Sequence, residues 1–90
     1  MRTADLPGGD IILSGIEDLR RGDETAEALL VSIGAPRLRR LGYAVPIGTP
    51  DPEQRLYALL ARGDANSAHG RYNALVRRLV SFERAAECVR

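Results

Sequence analysis

The chain has 90 residues, 44% of them hydrophobic and 28% charged. Domains commonly run about 100–150 residues, so this length holds one small domain rather than two. Thirteen cations against twelve anions leave a net charge of +1, which excludes a strongly basic nucleic-acid tail and an acidic solvating tail.

Ile, Leu and Val together number 22, enough for a modest core and too many for a disordered chain. Cys88 is the only cysteine and His69 the only histidine. An intrachain disulfide is therefore excluded, and a zinc centre, which takes about four Cys, His or acidic ligands, is not expected. No apolar run reaches the roughly 18 residues of a membrane span. The N-terminal stretch Met1–Asp10 lacks the basic start and apolar core of a secretory signal. These features point to a cytoplasmic protein with no cofactor and no metal. All the cations are arginine. Arginine suits bidentate contacts with carboxylate and phosphate, and codon usage in a GC-rich genome gives the same bias.

In chain order, residues 1–9 read as a flexible arm, with Pro7, Gly8 and Gly9 before the first periodic segment. A first helix is expected over 10–21, capped by Asp10. Ile12, Ile16 and Leu19 recur on one face beside Leu13. Gly15, a weak helix former, marks a close crossing, and Gly22 stops the helix in left-handed geometry. A second helix is expected over 24–33, capped by Asp23, with Ala26, Leu29, Leu30 and Ile33 facing inward. Gly34, Ala35 and Pro36 then read as a break. Pro36 suits the first position of a short helix over 36–41, which buries Leu38 and Leu41 and turns Arg37, Arg39 and Arg40 to water.

Residues 43–50 carry Pro46 and Pro50, which push their predecessors toward extended geometry. Tyr43, Val45 and Ile47 are expected to alternate inward along an extended crossover. Asp51-Pro52-Glu53-Gln54 spells a helix start, with Asp51 as cap, Pro52 in the first turn and Gln54 reaching back in a capping box. That helix buries Leu56, Tyr57, Leu59 and Leu60 and ends at Gly63. A final helix is expected from Ser67 to Cys88. Its stripe of Tyr72, Leu75, Val76, Leu79, Phe82, Ala86 and Val89 covers one half of its surface. It is the longest element and the expected spine of the domain. Arg21-Gly22-Asp23 recurs as Arg62-Gly63-Asp64, an adhesion-like tripeptide, but helix-end arginine, glycine stop and aspartate cap account for both copies.

The expected fold is all-α: four main helices and one short helix in a small bundle-like or orthogonal domain over 10–90, with one extended crossover. Catalytic chemistry finds little footing. His69 lies near Asp64, Asn66 and Ser67 in a surface turn rather than a pocket. Cys88 sits near a helix C-terminus, where the dipole disfavours a thiolate. Gly8-Gly9 follows no strand, as a phosphate loop requires. By segment, residues 1–34 hold three Arg against seven acids (−4), residues 35–50 carry +3, residues 51–64 carry −1, and residues 65–90 hold five Arg against two acids (+3). The expected function is a non-enzymatic protein-interaction module that self-associates as a homo-oligomer. The alternative is a nucleic-acid-binding accessory domain, and the candidate contacts for phosphate or a partner are Arg37, Arg39, Arg40, Arg71, Arg77 and Arg78.

Overall fold

The computed structural model describes residues 2–89 and is all-helical among them. A 3-10 turn over Thr3–Asp5 precedes four α-helices: α1 (Gly9–Arg21), α2 (Ala26–Arg40), α3 (Pro52–Gly63) and α4 (Ala68–Cys88). α2 packs against α1, α3 and α4, while α3 also packs on α4 and the 3-10 turn lies on α1. No helix among the described residues is long and apolar enough to cross a membrane.

α2 is the central element, not α4 as its length suggests. Leu29, Leu30 and Val31 are consecutive and all fully buried, as is Leu38. Three adjacent helical positions spread over about 200° of the surface, so a helix that buries them all has neighbours on more than one side. The expected break at Gly34-Ala35-Pro36 is absent, and the short helix over 36–41 is the last part of α2. Gly34 is buried because Leu79 and Glu83 of α4 occupy the space a side chain would need. Pro36 has no N–H for the Ser32 carbonyl, but its ring is exposed. Packing of Gly34, Ala35 and Leu38 holds the helix across the local defect.

α1 begins one residue before the expected start, with Gly8 flanking it in left-handed geometry. Asp10 is thus inside the first turn and does not cap. Gly22 ends α1 with φ 79°, as expected. Gly15 does mark the crossing: a β-carbon there would meet the Glu27 carbonyl and Val31 of α2. The cap of α2 is Thr25, not Asp23. Its hydroxyl accepts from the Ala28 N–H at 3.1 Å.

Within the segment expected as an arm, the Thr3 hydroxyl lies 3.1 Å from that of Tyr43 and Leu6 is buried. The crossover forms no strand. Val45 is buried and the Tyr43 ring packs on Phe82 at 5.6 Å, but Ile47 is 96% exposed, against the expected alternation. The Arg39 guanidinium donates to the carbonyls of Val45 (3.1 Å) and Pro46 (2.9 Å). Those two bonds fix the loop so that the period of two does not continue. α3 begins at Pro52 as expected, but Asp51 adopts left-handed geometry (φ 51°) and makes no side-chain cap. In α4, Leu79, Phe82 and Ala86 are buried and Tyr72, Leu75 and Val76 are half-buried, while Val89, just past its end, is exposed.

Candidate interaction surface

The six candidate arginines sit in different settings. Arg37 is half-buried between α2 and α4. It donates to Glu87 at 2.7 Å and lies 3.6 Å from Glu83. Arg39 is bonded to the crossover carbonyls. Arg40 is exposed on the last turn of α2. On α4, Arg78 reaches Asp10 of α1 at 3.7 Å, an exposed pair. Arg71 and Arg77 are exposed and form no ion pair with any described residue. Glu83 lies twelve residues beyond Arg71, about 18 Å along a helix, so Arg37 of α2, which meets α4 at Glu83, is remote from Arg71. Internal bonds therefore hold the Arg37 and Arg39 side chains in place, whereas Arg71 and Arg77 of α4 point outward without an ion pair to any described residue.

The two carboxylates with shifted acidity belong to the core rather than to a site. Asp18, at the end of α1, is buried. It accepts from the Thr25 hydroxyl at 2.6 Å and from Arg21 at 2.7 Å. The Thr25 hydrogen bond, followed by that of Arg21, holds its carboxyl below the usual range. Charge-assisted bonds favour the ionised form and tie the end of α1 to the start of α2. In the sequence Asp18 looks like one more charged residue on a solvated face, and nothing in its spacing announces the clasp. The signal was Thr25 itself, a β-branched hydroxyl directly before an Ala-Glu-Ala-Leu helix start. Glu83 is the second case. Burial pushes its carboxyl up, and Arg37 only partly offsets that.

His69 is exposed, and its ring nitrogen Nε2 lies 3.2 Å from the Asn73 amide. Its ring faces Tyr57 at 6.4 Å, and Tyr57 faces Tyr72 at 5.8 Å, both tilted. The three rings form an aromatic cluster across α3 and α4 whose central member, Tyr57, is 40% exposed. The expectation that Tyr57 is buried thus fails. Such rings offer a large contact area with few torsions to freeze. Cys88 is exposed at the end of α4. Among the described residues no group of His, Cys, Asp or Glu has the arrangement of a metal site. The chain matches no protein-family model, no curated protein and no solved structure.

Proposed function

We propose that this chain is a small helical interaction module without catalytic activity, and that a second copy covers the apolar edge between α3 and α4. The observation that carries the reading is the uneven burial of α4. Its second half buries Leu79, Phe82 and Ala86, while Tyr72, Leu75 and Val76 in its first half stay half-buried beside the exposed ring of Tyr57. Contiguous exposed apolar surface marks interfaces more often than ligand sites, and aromatic rings dominate interface energetics. A net charge of +1 puts little long-range repulsion in the way of two copies meeting. The reading includes a cytoplasmic location, where a lone exposed thiol such as Cys88 stays reduced.

Sedimentation equilibrium tests the self-association. The expected result is a concentration-dependent dimer at about 100 μM, weakened at least tenfold by Tyr57→Glu. The exposed Tyr57 position lets that variant keep its helical circular dichroism. A monomer at millimolar concentration removes the second copy from the reading.

A further inference from the structure

From Ala65 to Phe82 the sequence contains no acidic residue, yet it carries His69, Arg71, Arg77 and Arg78. Arg77 and Arg84 are seven residues apart on α4. Ideal helix geometry places them about 20° apart around the axis and about 10 Å apart along it. Asn73 and His69 continue the same ridge at successive steps of four. Arg77 and Arg84 are exposed, and neither forms an ion pair with any described residue. The two acids of α4, Glu83 and Glu87, are turned to Arg37 instead. Val80 lies half-buried along the ridge and adds apolar surface beside the guanidinium groups.

We propose that this outward ridge of α4 docks an acidic segment of another protein. Charge decides among the occupants. A second copy related by a two-fold across the ridge would set Arg77 and Arg84 against their own images. A head-to-tail copy would offer only scattered carboxylates: Asp18 and Asp23 lie against Arg21, Glu17 against Arg20 and Glu24 against Arg55, and the exposed acids outside ion pairs among the described residues, Asp5, Asp51, Glu53 and Asp64, are spread over the 3-10 turn and the two ends of α3. Nucleic acid asks for more cations than the ridge offers, since protein–DNA contacts commonly neutralise about 6–10 phosphates. Two arginines one and a half to two turns apart suit carboxylates spaced along an acidic peptide. The ridge is a contact additional to the apolar edge, and it is open to a partner whether or not two copies associate.

Fluorescence anisotropy with a labelled 20-residue polyglutamate peptide tests this on the full chain. Binding at low salt is expected, weakening steeply as salt rises. Arg77→Glu with Arg84→Glu should lower affinity at least tenfold. The charge-matched control, Arg2→Glu with Arg20→Glu, changes exposed positions off the ridge and should lower it by less than threefold. Circular dichroism confirms that both variants remain helical. Three results overturn the proposal: no binding to polyglutamate, equal loss in the two variants, or a single-stranded oligonucleotide that binds more tightly and is lost with the same two arginines.

Discussion

At the scale of single residues, Thr25 does two jobs with one hydroxyl. It accepts from the Ala28 N–H at 3.1 Å and donates to Asp18 at 2.6 Å. Thr25→Ala therefore leaves a helix amide uncapped and a buried carboxylate short of a donor. A helix cap alone accounts for about 1 kcal/mol, ranging to about 2, so the variant should lose at least that much in urea unfolding. Thr25→Ser keeps the hydroxyl and should recover most of it. An alanine variant as stable as the parent would mean that the clasp between α1 and α2 contributes nothing. Gly15 gives the opposite kind of test, because a side chain there is harmful for lack of room. Alanine normally favours a helix over glycine by about 1 kcal/mol. Here its β-carbon meets the backbone carbonyl of Glu27 and the Val31 side chain. Overpacking of a tight contact costs about 1–3 kcal/mol, so Gly15→Ala should destabilise despite its better propensity. A stabilised variant would show that α1 and α2 can separate at no cost.

At the scale of elements, α2 shows where local signals and packing part company. Pro36 sits inside the helix, exposed, with no N–H for the carbonyl of Ser32. Interior proline costs about 3 kcal/mol in a free helix, and part of that is offset because proline also restricts the unfolded chain. Pro36→Ala is expected to raise stability by about 1–2 kcal/mol, with the denaturant slope unchanged. A loss would mean that the ring itself is needed. The same defect explains what the sequence hid. The all-α class, the start of α3 at Pro52 and both ends of α4 to within a residue are legible, because Pro52 marks the start of α3 and an unbroken apolar stripe runs the length of α4. α2 is not, because glycine, alanine and proline in a row are a genuine local stop that only contacts with α4 override. Cut at Ile33, α2 is too short to read as the centre, and length alone gives that place to α4. The arginine candidates divide in the same way. Exposure of Arg71, Arg77 and Arg78 follows from their side of the α4 stripe, whereas the partners of Arg37 and Arg39 come from residues 50 and 6–7 positions away. No spacing rule reports those.

At the scale of the whole molecule, Asp18 and Glu83 give stability a pH dependence with two opposing parts. They lie at different junctions, Asp18 between α1 and α2 and Glu83 between α2 and α4. The groups facing Glu83 are Arg37 and Arg40 of α2 and Glu87 of its own helix. Asp18 has its carboxyl held down by Thr25 and Arg21, so the unfolded chain binds that proton more readily than the fold does. Its stabilisation is complete above the ordinary value of 3.8 and drains away as pH falls from there toward the lowered one. Glu83 is held up by burial, so the fold binds its proton more readily than the unfolded chain does. Its ionised form costs stability at neutral pH, and that cost lifts as pH falls through the raised value toward 4.5. Thermal melts of two variants separate the parts. Glu83→Gln should melt higher than the parent at pH 7, since Arg37 keeps Glu87 at 2.7 Å, and the gap should close by about pH 4.5. Asp18→Asn should melt lower than the parent at pH 7, and its gap should persist at pH 4.5 and close only below about 3.8. Two gaps that close together, or a glutamine variant that melts lower at neutral pH, would mean that the buried carboxylate on α4 is stabilised by its arginine more than it is penalised by leaving water.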